Sequence, residues 1–266
     1  MKTNPVKQKL RRGEPSFGTW LSSGELYAVR VMARLGFDWL TLDMEHQPFD
    51  WAGAAANFAV IAEAGCVPLC RVPEGNHAFI KRALDAGAWG IVAPMANTVE
   101  QARAAVAAAK YPPVGNRSLG GGLHALNFDA TATEYFRRAN DEILVVLQTE
   151  SPQGIANAEA IYSLPGVDAI FVGPVDLRAN LRKPPDGPEV DDATLEAAIA
   201  QVVAAGKKTG TPTGMHTMSP QAALERAAQG MQFLAVESEL MMMTERAQEV
   251  LQKLHPSRTA KDVTRY

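Results

Sequence analysis

The chain has 266 residues, 47% hydrophobic, 21% charged and 7% aromatic, enough to bury a large core without disulfide or metal staples. With 26 basic against 29 acidic residues its formal net charge is −3, which excludes a global field that would hold it on nucleic acid or on an anionic membrane. The N-terminal stretch MKTNPVKQKLRRGEP lacks an apolar core and no window nears the apolar run of about 18 residues needed to span a bilayer, so a cytoplasmic protein with no membrane partner is expected.

Along the chain, short β-branched or aromatic runs alternate with longer Ala- and Leu-rich stretches of helical period, about eight times. The predicted strands are 16–21, 37–42, 67–71, 90–93, 143–148, 169–172, 209–213 and 232–236. Asp50 predicts an N-cap for the Ala-rich run to Glu63, with Gly65 closing it. Cys66 and Cys70 stand four apart in a predicted strand and so share a face, which suits buried free thiols rather than a CxxC pair. Thr98 with Gln101 forms a capping box before 102–109, and Ser219-Pro220 opens a helix that Gly230 closes. The connections 111–129 and 180–192 are long for a compact domain. The Gly-rich run 115–122 has no G-K-[ST] and reads as a lid or a subunit contact.

Strand–helix–strand alternation calls for parallel crossovers, and eight such units in one chain predict a single closed (β/α)₈ barrel, a TIM barrel of the α/β class, over residues 1–266. Residues 1–15 and 256–266 are expected to be peripheral termini. A doubly wound sheet is the runner-up, disfavoured by the repeat count and by the lack of G-x-G-x-x-G after the first strand.

Barrel chemistry lies at the carboxyl ends of the strands. There the sequence places Asp43-Met44-Glu45-His46, Arg71, Gln148-Thr149-Glu150, Gly173-Pro174-Val175-Asp176, Gly214-Met215-His216 and Glu237. Glu150 and Asp176 follow adjacent strands and together suit a hard divalent cation with open coordination sites; the alternative is that each caps the helix after it. His46 has acidic neighbours that suit general acid/base work. Arg71 brings a permanent charge to the mouth, for a substrate oxygen or for an ion pair with Asp43 or Glu45. No lysine falls at a predicted strand end, which argues against Schiff-base catalysis, and Glu237 would repel a phosphate near the last strand.

The segments GTWLSS, FDWLTLDMEH, PLCRVP, APM, YPPVGNRSLG, LQTES and VGPVDL, in this order from about Phe17 to Leu254, resemble the HpcH/HpaI aldolases, metal-dependent lyases acting on 2-oxo acids. The resemblance implies a barrel of the phosphoenolpyruvate/pyruvate type that binds Mg²⁺ or Mn²⁺, with Co²⁺ or Zn²⁺ as further candidates, through Glu150 and Asp176. It implies pyruvate chelated by the metal, Arg71 against the keto or enolate oxygen, Gln148 positioning the pyruvate, and backbone N–H groups near Gly173, Pro174 and Val175 receiving its carboxylate. His46, oriented by Asp43 or by Asp85, becomes the acid/base group that removes the proton from a 4-hydroxyl, so that C3–C4 cleavage yields an aldehyde and pyruvate. It also implies a homo-oligomer, a trimer-based hexamer with exchanged C-terminal helices, in which Asp85 can act across an interface.

The chain departs from the commonest family pattern at Arg178, where a small Ser is usual, at Glu237, where Gly is usual, at GMHTMSP, which replaces a more apolar stretch, and at Thr149. These departures resemble the macrophomate synthase-like branch and keep oxaloacetate decarboxylation as an alternative. A CoA-ester lyase is a weaker rival, for want of a basic cluster suited to the CoA phosphates. A catalytically silent binding or assembly barrel is the alternative outside enzymes.

Overall fold

The computed structural model describes residues 1–184 and 187–256. Eight strands close into one barrel in sequence order: β1 Ser16–Leu21, β2 Trp39–Asp43, β3 Val67–Arg71, β4 Gly90–Ala93, β5 Leu144–Gln148, β6 Ala169–Val172, β7 Thr213–Thr217 and β8 Phe233–Ser238. Every neighbouring pair is parallel, β1 with β8 included, so the α/β TIM barrel holds. Most strand positions are buried on both faces, inside by barrel side chains and outside by the helical ring, as a parallel sheet requires.

Helix ends follow the sequence chemistry. Asp50 accepts from Gly53 N–H at 2.6 Å ahead of helix Trp51–Glu63, and the Thr98/Gln101 box closes in both directions. Ser219 caps helix Pro220–Ala228. Strand β7 is a correction, because it begins four residues after the expected 209. Lys207 and Lys208 extend helix Asp192–Thr209, and Gly210 stops it at φ 74° in the left-handed region that glycine adopts without a steric penalty. The shift puts His216 within a strand instead of in the loop after it.

The expectation of a peripheral N-terminus is also corrected. Asn4 caps helix Pro5–Arg11, whose Val6 and Leu10 join the core. Lys7 Nζ donates to the Ile143 carbonyl and pairs with Asp168 at 2.9 Å, just ahead of β5 and β6, so this helix closes the floor of the barrel. Residues 257–266 lie outside the described residues.

Inside the barrel, Trp39 and Phe233 stack at 4.3 Å between ring centroids and 8° between planes, and Phe171 meets Phe233 edge-on at 5.9 Å. Gly18 admits the Trp39 indole: a Cβ there would lie 2.1 Å from the ring. Gly18→Ala is therefore expected to destabilise the barrel by about 1–3 kcal/mol through overpacking. A fall in the urea midpoint at unchanged m-value checks this, and an unchanged midpoint would mean that Trp39 has room to move.

Candidate active site

Strand register brings the site together. Asp43 and Arg71 are direct partners across β2 and β3, and Arg71 grips Asp43 with both arms of its guanidinium, Nε at 2.8 Å and Nη2 at 2.7 Å. Glu45 Oε2 stands 3.3 Å from Arg71 Nε, and Trp20 of β1 lies under the guanidinium at 4.6 Å from ring centroid to Cζ. The guanidinium is nearly buried, so its position is set by paired charges and an aromatic face together.

The two backbone N–H groups of Glu45 and His46 donate to Asp43 Oδ1 at 3.2 and 3.3 Å. Asp43 thus shapes the turn that carries His46. Ring Nε2 is 3.7 Å from Glu45 Oε2, on a side chain 43% exposed at the rim of the mouth. Glu45 bridges Arg71 and His46, a role that the sequence left unassigned. Burial, outweighing the attraction of Arg71, pushes its carboxyl up to about 7, with repulsion from Asp43 and Asp176 adding to the rise.

Glu150 sits just past β5. Its Oε1 accepts from Met95 N–H at 2.9 Å and its Oε2 from Gln148 Nε2 at 2.9 Å. Met95, in the APM turn after β4, holds φ 51° as it presents that N–H. Burial pushes the Glu150 carboxyl up to about 7; the Met95 bond opposes this, and Asp176 and Glu45 add to it. Capping is excluded for Glu150, because Ser151 caps helix Pro152–Ala156 through Gly154 N–H. Asp176 lies in the first turn of helix Pro174–Asn180, whose N-cap is Gly173.

Four carboxylates, Asp43, Glu45, Glu150 and Asp176, thus share the mouth with the Arg71 guanidinium. Among the described residues no three His, Cys, Asp or Glu side chains converge on one metal position. Glu150 and Asp176, close enough that Asp176 adds to the rise at Glu150, could together offer a donor pair to a cation that keeps several open positions. Two further observations fit such a group. Gln148 Oε1 is buried without a hydrogen-bond partner, and a Cβ on Gly173 would lie 2.3 Å from Glu150 Oε2 and would fill the space beside it.

A cavity at the mouth is lined by Arg71, Asp43, Gln148, Gly173, Pro174, Val175 and Asp176. Trp20, Ser22, Gln47, His216, Met218, Ser238 and Met241 line it too. The structure therefore gathers the expected Arg71, Asp43, Gln148, Asp176 and the 173–175 turn around one space, with Glu150 behind Gly173. It separates Asp85 from them within the chain. Asp85 ends helix His77–Asp85, which runs from the mouth back to the floor, and pairs there with buried Arg117 at 2.7 Å. Arg178 and Glu237 are not paired with each other: Arg178 donates to the Val190 carbonyl and to Asp192, tying down the 180–192 connection. Trp20, visible in GTWLSS only as a strand residue, is an addition to the wall, whereas His216, expected just after the seventh strand, lies within it and reaches the same cavity.

The HpcH/HpaI aldolase/citrate lyase family profile matches residues 16–245. A 2-keto-3-deoxy-L-rhamnonate aldolase of Klebsiella pneumoniae is 37% identical over 91% of this chain and 90% of its own length. A hydroxypyruvate/pyruvate aldolase of Paraburkholderia phytofirmans is 34% identical over 95% of this chain and 98% of its own. The crystal structure of a family member from Burkholderia cenocepacia superposes with a TM-score of 0.87 at 35% identity, covering 95% of this chain and 99% of that one. With the profile spanning all eight strands and the strand-end residues gathered at one mouth, the chain belongs to the HpcH/HpaI aldolase/citrate lyase family, a family of aldolases and carbon–carbon lyases.

Proposed function

We propose that the chain cleaves a 4-hydroxy-2-oxo acid to pyruvate and an aldehyde with the help of a divalent metal ion. The observation that carries the reading is the mouth itself, where two carboxylates pushed up to about 7 stand beside a fixed guanidinium and an unpartnered amide oxygen. Mg²⁺ or Mn²⁺ held by Glu150 and Asp176 would supply Lewis acidity toward the 2-oxo group.

The chain's own residues then divide the work. Arg71 donates to the 2-oxo oxygen as negative charge develops there, and Asp43 and Trp20 fix it so that little reorganisation accompanies the reaction. Pro174 has no N–H, so the backbone donors for the substrate carboxylate are Val175 and Asp176 at the start of the helix. His46 takes the proton of the 4-hydroxyl as C3–C4 breaks, with Glu45 beside its ring. Among the described residues no helix is long and apolar enough to cross a membrane. Assembly belongs to the same reading: helix Glu239–Leu254 buries only Glu239 and Met241 and leaves Met243, Leu251 and Leu254 exposed, an apolar face suited to a second copy. Any acid/base part for Asp85 comes through such a contact.

The test uses chelator-stripped protein with pyruvate in D₂O, followed by proton NMR with and without Mn²⁺ or Mg²⁺. Metal-dependent loss of the methyl signal is expected, and no exchange with any divalent metal overturns the reading. His46→Ala is expected to lower aldol cleavage by about 10²–10⁴ while oxaloacetate decarboxylation, which has no 4-hydroxyl to deprotonate, persists. Equal loss of both activities contradicts the role given to His46.

Metal binding should depend on pH in a defined direction. A carboxyl raised to about 7 is protonated below that pH and must lose its proton to ligate, so affinity rises with pH and levels off above about 8. Calorimetric Mn²⁺ titrations at pH 6 and pH 8 should differ by about tenfold, with proton release only at the lower pH. Equal affinity at both would show that Glu150 is ionised throughout.

A further inference from the structure

We infer that His216 is a specificity-determining residue whose Nδ1 accepts a hydrogen bond from a substrate hydroxyl, so that the site favours hydroxylated partners over their deoxy analogues. The inference rests on the aldolase reading above and deepens it.

His216 lies in β7, opposite Ala235 of β8, and its ring walls the cavity. Ring Nε2 is 3.0 Å from the backbone carbonyl of Glu237. A carbonyl can only accept, so Nε2 carries the hydrogen and, in the neutral ring, Nδ1 carries the lone pair. Burial, together with the Arg71 charge, lowers the histidine's proton affinity against the opposing pull of the Glu237 carbonyl. Nδ1 has no hydrogen-bond partner among the described residues.

The carbonyl that selects this tautomer is itself held in place. Glu237 adopts φ 52°, a left-handed conformation that a side-chain-bearing residue rarely takes, where the β1–β8 register slips between Gly18 and Trp20. The same carbonyl accepts from Thr19 Oγ1 at 3.2 Å. Trp20 meets the imidazole edge-on at 6.2 Å and leaves it little freedom to turn. With no partner among the described residues, Nδ1 stands at the cavity wall as an acceptor open to a donor that the substrate brings. Carboxylate and keto groups bring none; a hydroxyl does.

The hydroxyl has two sources in this reaction, the 3-position of the 2-oxo acid and the 2-position of the aldehyde, and the experiment separates them. In the carbon–carbon bond-forming direction, kcat/KM is measured for hydroxypyruvate against pyruvate with one aldehyde, and for glycolaldehyde against acetaldehyde with pyruvate, in wild type, His216→Leu and His216→Gln. Glutamine can donate to the Glu237 carbonyl and still accept through Oε1, whereas leucine can do neither. His216→Leu should reduce the preference for the hydroxylated member of one pair by about tenfold, and His216→Gln should restore most of it. The pair that responds identifies the source. If both ratios stay within twofold of wild type in His216→Leu, or if Gln restores neither, the proposal is overturned. Should the leucine variant not fold, the glutamine variant decides alone, because loss of preference there also overturns it. Exchange of the pyruvate methyl protons in the unmodified protein tests the aldolase reading separately, so the two failures are distinguishable.

Discussion

Glu150→Gln is expected to abolish metal-dependent exchange of the pyruvate methyl protons, by at least about 10³-fold, while leaving the barrel at least as stable as the wild type. The two effects part because a buried carboxylate is a functional asset and a structural cost. Its ionised form is disfavoured by burial and by Asp176, which is what holds its carboxyl up at about 7. Glutamine has the same shape and no charge. Its carbonyl oxygen can keep the bond from Met95 N–H, and its amide then faces Gln148, whose Oε1 is buried without a partner. A turn of the Gln148 amide lets that oxygen accept from residue 150, so the new pair is satisfied within existing space. Only the capacity to hold a cation is lost. Thermal unfolding and Mn²⁺ titration on the same preparation read both sides. Exchange within tenfold of wild type would remove Glu150 from the metal site, and a large fall in stability would mean that the carboxylate serves the scaffold.

Much of this arrangement was legible in the chain because barrel strands advertise themselves. Strands β1, β3, β4 and β6 fall where β-branched and aromatic runs predict them, since burial on both faces leaves no other composition. The strand-end rule then finds Arg71, Glu150 and Asp176 directly. What the sequence hid lies where local signals conflict or where partners are remote. Thr209-Gly210-Thr211 reads equally as a strand start and a helix end, and the helix won through its Gly210 cap, which moved His216. The bridging place of Glu45 depends on Arg71, one strand away. Residues 1–12 look like a basic tail until Asn4, Val6 and Lys7 meet Glu142, the core and Asp168 far along the chain. Asp85 is the opposite case: its place in the sequence is clear, but the helix that carries it ends on the wrong side of the barrel to meet His46 in the same chain.

The second large effect concerns Arg71, for which an ion-pair role and a substrate role compete, and a two-residue cycle separates them. Arg71→Met leaves the Asp43 carboxylate buried without its bidentate partner and is expected to cost about 3–5 kcal/mol of stability and essentially all aldol activity. Asp43→Asn in the same chain removes the stranded charge. Asparagine can still accept from the backbone N–H groups of Glu45 and His46 through one oxygen, so the turn carrying His46 keeps its support. The double variant should therefore regain most of the lost stability, a coupling that direct contact predicts. It should not regain activity, because the guanidinium that donates to the 2-oxo oxygen as charge develops there is gone, and the divalent ion alone does not replace that hydrogen bond. Equilibrium unfolding in urea and initial rates of cleavage, measured on the two single variants and the double, complete the cycle. Recovery of both stability and rate in the double variant would reduce Arg71 to a strut for Asp43, and the oxygen-binding role would then have to pass to another group at the mouth.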